Sequence, residues 1–192
     1  YAPNYKANHY ASPSTKAEGR VLRPRIESEF LNQTRRMIAY TPKGYEQASL
    51  PVMYIQDGIA YYRIAKLAEV LEQLLQEQLI RPAHLVFIEP IDRFAEYRFN
   101  SSYRSFIVDE LLPLIEKDLQ TTSERMVMGA SLGGLVSSVL ALEHPDMFQT
   151  VISQSGAFLG SPNEPDFYKG KRSWVLETLQ TSERLALRWY TE

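Results

Sequence analysis

The sequence predicts an α/β fold: a mostly parallel sheet that starts with an antiparallel hairpin and carries helices on both faces. Three observations support this class. The chain has 192 residues, enough for one domain with a substantial core. Its 44% hydrophobic and 23% charged residues are typical of a globular protein. Short apolar runs bounded by Pro, Gly or Asp alternate with segments of helical periodicity, which is the pattern of repeated β-α-β units.

A β-hairpin opens the predicted domain, with strands at residues 25–30 and 34–40 and a turn at 31–33. Later strands are predicted at 51–56, 85–88, 125–128, 150–153 and 185–190. Helices are predicted at 64–75, 103–119, 132–143 and 174–179. Residues 91–100 are predicted to form a loop rich in charge and aromatic rings. Pro113 is expected to bend its helix, because it removes one backbone donor and crowds the preceding turn.

The domain organisation follows from the same pattern. Residues 1–20 are polar and are predicted to form an N-terminal arm over the domain. Residues 21–192 are predicted to form the α/β domain itself. No internal repeat or low-complexity tract interrupts it.

Charge and composition exclude several function classes. Lys and Arg number 21 against 23 Asp and Glu, so the net charge of −2 argues against a nucleic-acid binder. The chain has no Cys, which excludes disulfides, thiolate catalysis and Cys-based metal sites. No apolar run reaches membrane-spanning length, and no signal-peptide pattern is present. The absence of Cys favours a cytoplasmic location, although a chain that starts at Tyr1 leaves this open.

One motif carries the chemistry. Residues Gly129-Ala130-Ser131-Leu132-Gly133 match the G-x-S-x-G pattern of a nucleophile elbow, between a predicted strand and a predicted helix. In such an elbow the chain turns sharply, and glycine is needed on either side of the Ser for steric reasons. The turn lifts the hydroxyl above the sheet and aims a helix N-terminus at a developing oxyanion. Ser131 is therefore the candidate nucleophile.

An oxyanion hole needs a second loop. The backbone N–H of Leu132, directly after the Ser, is the first candidate donor. Residues 56–59 follow a buried strand, where the sites of parallel sheets lie, and Gly58 permits a close approach of the backbone. The alternative is that Asp57-Gly58 forms an ordinary turn.

With these motifs, the chain resembles the esterase family of α/β hydrolases. That family includes enterochelin (ferric siderophore) esterases, S-formylglutathione hydrolase, feruloyl esterases and mycolyltransferases. The resemblance covers nearly everything from about residue 21 to the end. Arg-x-x-Glu-Tyr at 93–97 and Ser-Gln-Ser-Gly at 153–156 look most like the enterochelin esterase branch. The matching stretches are 35–42, 54–58, 93–97, 110–113, 129–134 and 153–156.

The resemblance implies Ser131 as nucleophile and the backbone N–H groups of Leu132 and Ile59 as oxyanion donors. Asp57 lies in the same loop as Ile59 and is a candidate substrate-binding residue. Three more candidates, Arg93, Glu96 and Tyr97, follow a predicted strand. Two roles are open for these three: bordering the substrate cleft, or forming a salt-bridged structural loop.

The catalytic acid and base are the point of departure from the family. In the α/β-hydrolase order a carboxylate and then a histidine follow the Ser, on loops after the strand predicted at 185–190. His144 lies about three helical turns from Ser131, His84 starts a strand, and His9 lies in the arm, so all three are poor candidates. We therefore expect the acid and base beyond Glu192, with the C-terminal part of the fold missing from this chain.

The functional prediction is a serine carboxylic-ester hydrolase that forms an acyl-enzyme on Ser131 and needs no metal or organic cofactor. Its partner is a small-molecule ester, with siderophore esters suggested by the resemblance; no nucleic-acid or membrane partner is expected. Two alternatives stay open. One is acyl transfer to an alcohol by the same residues. The other is a catalytically inactive hydrolase fold that acts as a binding module.

Overall fold

A computed structural model describes residues 8–163, 172–182 and 185–191. The strands are β1 (Arg20–Leu22), β2 (Arg25–Ser28), β3 (Gln33–Thr41), β4 (Leu50–Ile55), β5 (His84–Ile88), β6 (Thr121–Ala130), β7 (Thr150–Gln154) and β8 (Arg188–Thr191). The α-helices are α1 (Leu67–Gln76), α2 (Arg93–Tyr97), α3 (Ser101–Ser105), α4 (Leu112–Asp118), α5 (Leu132–Glu143) and α6 (Trp174–Thr181). A short 3-10 helix at His9–Ala11 and two π-helical turns, Ala60–Ile64 and Phe106–Leu111, complete the described elements.

The sheet has the order β1-β3-β5-β4-β6-β7-β8, with β2 paired to β3. Strands β1, β2 and β5 pair with β3 in antiparallel fashion. The pairs β4–β5, β4–β6, β6–β7 and β7–β8 are all parallel. The prediction of a mostly parallel sheet with an antiparallel start is therefore confirmed.

Two apolar clusters lie on opposite faces of the sheet. The larger cluster joins the sheet to α5, to the α3–α4 segment and to Val175 of α6. The smaller cluster lies beneath α1, around Tyr40, Ile55 and Phe87. Because the helices cover both faces, the parallel strands are buried on both sides and read as continuous apolar runs.

The structure corrects four details of the prediction. Residues 91–100 are not simply a loop, because α2 forms within them; Asp92 caps it by accepting from the N–H of Ala95. The helix predicted at 103–119 is three segments, and the wide π-helical turn precedes Pro113, which has no N–H to donate. Strand β1 was not predicted, and β8 begins at Arg188 instead of at residue 185.

Candidate active site

Ser131 lies at a sharp turn between β6 and α5. Its φ of 54° and ψ of −115° are strained for a residue with a Cβ, and its side chain is exposed. A Cβ on Gly129 would lie 2.4 Å from the carbonyl carbon of Gly133, so the turn requires glycine there. The N–H of Ser131 donates to the Gln154 carbonyl at 2.9 Å, and its own carbonyl accepts from Leu135 and Ala157. The turn therefore has the geometry that the motif predicts.

The N-terminus of α5 points at the same place. Leu132 is the first residue of this helix, and its side chain is buried. Its N–H donates to no protein acceptor among the described residues, as expected for the first turn of a helix. This donor is available to a negatively charged oxygen beside Ser131.

The loop after β4 approaches from the neighbouring strand. Asp57 has a φ of 55°, and a Cβ on Gly58 would lie 2.5 Å from the Ile88 nitrogen, so the loop lies tightly against β5. The N–H of Ile59 donates to the Glu89 carboxylate (Oε2) at 2.8 Å. The second predicted oxyanion donor thus already holds a negatively charged oxygen, supplied by a side chain at the end of β5.

Arg93 connects that loop to the turn at Ser131. Its Nε and Nη2 donate to Oδ1 and Oδ2 of Asp57 at 2.7 and 2.9 Å, and Nη2 also donates to the Ala130 carbonyl at 2.9 Å. The hydrogen bond to Asp57 is the main cause that raises the pKa of Arg93. The side chains are 36% (Arg93) and 17% (Asp57) exposed, so this pair faces the solvent beside Ser131.

Glu96 and Tyr97 lie in the interior, which favours the structural role among the two roles left open for them. The carboxylate of Glu96 accepts from both terminal nitrogens of Arg35 and from the N–H groups of Ile91 and Asp92. The Tyr97 hydroxyl accepts from the Asp57 N–H at 2.9 Å, and burial raises its pKa well above the usual range. Both residues belong to the structural alternative for this motif.

A cavity of about 490 Å³ opens next to Ser131. Its wall on one side is the π-helical turn after β4, whose Tyr61 hydroxyl donates to the Gln154 side chain. Burial raises the pKa of Tyr61. The lining residues are Asp57, Ala60, Tyr61, Ile64, Ala65, Glu89, Arg93 and Ala130. The cavity is therefore mostly apolar, with charged groups at the edge that meets Ser131.

The three histidines lie far from Ser131. His144 caps the opposite end of the 12-residue α5, about 18 Å away at 1.5 Å per residue. His84 begins β5, level with Arg125 near the start of β6, about 20 Å from Ser131 at roughly 3.3 Å per residue. His9 neighbours Tyr10, which bonds Glu77 at the end of α1. As placed, none of them can serve as the base for Ser131.

The described residues contain neither a metal-binding cluster nor a membrane-spanning helix. No group of three or more His, Asp or Glu side chains in this part of the chain is arranged to hold a metal ion. Within the same residues, no helix has the length and apolar character needed to cross a membrane.

Sequence reasoning missed Glu89, Tyr61 and Arg35. Glu89 follows a predicted strand, and the loops after such strands were expected to hold the site. Nothing in the sequence shows that the Glu89 carboxylate turns toward the Ile59 N–H. Arg35 lies 61 residues from its partner Glu96, so only the fold brings the two together.

A sharp turn with an exposed serine, between a central parallel strand and a buried helix, defines an α/β hydrolase. The chain belongs to the Esterase family, because the family model described as "Putative esterase" matches residues 28–191. Its sequence is 34% identical over 152 residues to the uncharacterized protein YbbA of Bacillus subtilis (strain 168), a match that covers 68% of this chain and 60% of that protein. It is 32% identical over 139 residues to the iron(III) enterobactin esterase of Escherichia coli (strain K12), covering 69% and 34% of the two chains.

A solved structure of an esterase also has the fold of this chain. The enterobactin esterase of Shigella flexneri, determined in the presence of 2,3-di-hydroxy-N-benzoyl-serine, superposes with a TM-score of 0.80 at 26% identity. That match covers 96% of this chain and 48% of the other. This chain therefore spans 60% or less of these three relatives, although nearly all of it superposes on the Shigella flexneri enzyme.

Proposed function

We propose that this chain carries the nucleophile and oxyanion site of a serine carboxylic-ester hydrolase. The observation that carries the proposal is Ser131 itself: an exposed hydroxyl on a strained turn, at the N-terminus of a buried helix and beside an open cavity. Backbone strain of this kind is most frequent at functional sites.

In the proposed reaction the Ser131 oxygen attacks the ester carbonyl and its proton passes to a general base. The carbonyl oxygen becomes an oxyanion, which accepts from the Leu132 N–H and is stabilised by the positive end of α5. The Ile59 N–H is the second donor once the Glu89 carboxylate withdraws from it. The alcohol leaves, and water then hydrolyses the acyl-enzyme.

Arg93 has a positioning role in this proposal. It binds the carbonyl of Ala130, the residue before the nucleophile, and the carboxylate of Asp57, two residues before Ile59. One guanidinium thereby ties the nucleophile turn to the loop of the second oxyanion donor. Its rigid planar fork suits such a link.

For the substrate class, the relatives favour siderophore-type esters, since two of them are named enterobactin esterases. The apolar wall formed by Tyr61 and Ile64 is suited to an aromatic acyl or alcohol group. Incubation of the native protein, including any part that follows residue 192, with enterobactin should release 2,3-dihydroxy-N-benzoyl-serine, detected by chromatography. If the protein hydrolyses simple esters but releases no such product from enterobactin, the siderophore proposal would be wrong and the esterase proposal would remain.

The test of the nucleophile is an intact-protein mass spectrum of the native protein, including any part that follows residue 192, after incubation with a fluorophosphonate probe. We expect one probe per chain in the wild type and none in Ser131→Ala. Ser155→Ala is the matched control, because Ser155 is also exposed and has a φ of 47°. Labelling that survives Ser131→Ala would contradict the assignment.

If the folded native protein stays unlabelled, the result would favour the inactive binding module instead. Where labelling succeeds, products formed with an added alcohol acceptor separate hydrolysis from acyl transfer.

A further inference from the structure

A second cavity, of about 470 Å³, is lined by four arginines: Arg23, Arg25, Arg36 and Arg63. Its floor is the sheet on the face that α1 covers, around Ile38 and Phe87. Glu89 is the one carboxylate in this lining. Four guanidinium groups around a single carboxylate leave a clear surplus of positive charge in a concave site.

Only one of the four arginines has a carboxylate partner among the described residues. Arg25 pairs with Glu27 at 2.8 Å. Arg36 lies directly opposite Arg25 on the paired strands β2 and β3, and like charges in that position destabilise a sheet. Among the described residues, no carboxylate lies within ion-pair distance of Arg23, Arg36 or Arg63. An anion bound between them would relieve this repulsion.

The arginine cavity adjoins the candidate active site. Gly58 and Ile59, of the loop that bears the second oxyanion donor, form part of its wall. Glu89 lines both this cavity and the one beside Ser131. A third cavity, of about 430 Å³, continues past Arg25, Arg36, Ile59 and Glu89. A molecule whose ester lies at Ser131 can therefore extend past Glu89 toward the arginines.

We propose that the arginine cavity is a subsite for an anionic group, a carboxylate or a phosphate, carried by the ester substrate. The guanidinium fork matches the oxygens of both groups and binds them through paired, charge-assisted hydrogen bonds. The proposal rests on the proposed function of Ser131. The same chemistry can come from a free anion, so the experiment separates the two sources.

The first experiment compares matched esters. The native protein, including any part that follows residue 192, is assayed with mono(4-nitrophenyl) esters of straight-chain diacids and with the 4-nitrophenyl esters of monoacids of equal length. We expect at least one chain length at which the carboxylate raises kcat/KM about tenfold or more, mainly by lowering KM. High salt should reduce this preference, because exposed charges are screened.

Arg36→Gln and Arg63→Gln should remove the preference without lowering the rate on the neutral ester. Arg20→Gln is the matched control, because it removes the same charge from β1, outside all three cavities. Equal rates on both ester series in the wild type, or a preference that survives in Arg36→Gln/Arg63→Gln, would overturn the proposal.

The second experiment needs no turnover. Citrate binding to the Ser131→Ala variant is measured by calorimetry. Adding Arg36→Gln and Arg63→Gln to this variant should weaken citrate binding at least tenfold. Adding Arg20→Gln instead should leave the affinity unchanged. If the Ser131→Ala variant binds citrate but the wild type hydrolyses no ester, the proposed function of Ser131 would be refuted and the anion site would remain. Citrate binding that these arginines do not affect would refute the site itself. Binding with an active enzyme but no preference for charged esters would assign the cavity to a free anion and overturn the substrate proposal.

Discussion

Two arginine–carboxylate pairs meet near the loop after β5, and they differ in surroundings more than in geometry. Arg35 and Glu96 make two parallel hydrogen bonds, at 2.8 and 2.9 Å, with side chains only 2% and 7% exposed. Arg93 and Asp57 also make two, at 2.7 and 2.9 Å, but their side chains are 36% and 17% exposed. Both arginines make a further bond to a backbone carbonyl, Arg35 to Glu89 and Arg93 to Ala130.

Burial, and not the bonding pattern, is therefore what distinguishes the two pairs. The Arg35 pair fixes backbone: Glu96 also accepts two N–H groups of the loop, and Arg35 lies over the rings of Tyr103 and Phe106. The Arg93 pair ends at the cavity and at the turn that bears Ser131. Loss of the first should therefore change stability, and loss of the second should change activity.

The largest effect is expected from Arg35→Ala. Removal of one member of a buried pair leaves an uncompensated charge on Glu96 and costs about 3–5 kcal/mol of unfolding free energy. Urea unfolding followed by circular dichroism measures this. A loss below about 1 kcal/mol would show that the buried pair has no structural role, and the contrast between the two pairs would fail.

Arg93→Gln should have the opposite profile. We expect kcat/KM on a neutral 4-nitrophenyl ester to fall about ten- to a hundredfold, because the turn at Ser131 and the loop of Ile59 lose their common tie. Stability should change by less than about 1 kcal/mol, since the pair is partly exposed. The rate of fluorophosphonate labelling should fall in parallel. A normal labelling rate would contradict the positioning role.

Tyr97→Phe tests the link between the two regions. Tyr97 follows Glu96 in α2, and its hydroxyl accepts from the N–H of Asp57. The variant leaves that partly buried N–H without its acceptor, at a cost of about 1 kcal/mol. We expect a stability loss together with a smaller loss of activity than in Arg93→Gln. Unfolding and kinetics measured on one sample separate the two, and unchanged stability would show that the contact is dispensable.

The smallest effect concerns pH and His84, far from both pairs. Burial lowers the pKa of His84 below its usual 6.5. Its ring lies between the Thr41 hydroxyl and the Gln120 carbonyl. Because the folded pKa is lower than the unfolded one, the unfolded state binds the proton first as pH falls. This contribution to stability is therefore complete above about pH 6.5 and is lost as pH falls toward the lowered value.

The control for this prediction is His84→Gln, whose amide does not titrate. Urea midpoints at pH 7.5 and 5.5 should fall less in the variant than in the wild type, while the relative activity of Arg93→Gln stays the same at both values. An equal fall in wild type and variant would rule out the role of His84.

The parts of the molecule that follow from local patterns were predictable from sequence. Helix α5 lies at the predicted residues 132–143, because an apolar segment follows a glycine-flanked serine and ends before His144-Pro145. The central strands were predictable because both of their faces are buried, which makes them short apolar runs. The turn at Ser131 has a steric signature, so its glycines reveal it.

The remainder depends on contacts that the sequence does not encode locally. Helix α2 has only five residues, too few for a periodic signal, and its ends depend on the Asp92 cap and on the burial of Glu96. The arginine cavity collects residues from β2, from β3 and from the π-helical turn after β4, which are separate in sequence. The Ile59 N–H was predicted as a donor, but its present acceptor, Glu89, becomes apparent only in three dimensions.

Every residue of α5 from Leu132 to Leu142 is buried, so the helix that begins at Ser131 is also the centre of the larger apolar cluster. A site mounted on a peripheral loop can melt or be remodelled while the rest of a protein stays intact. The turn at Ser131 cannot unfold independently in this way, because the helix that follows it forms the centre of the larger apolar cluster. We therefore expect the turn at Ser131 and the larger apolar cluster to be lost in a single thermal transition.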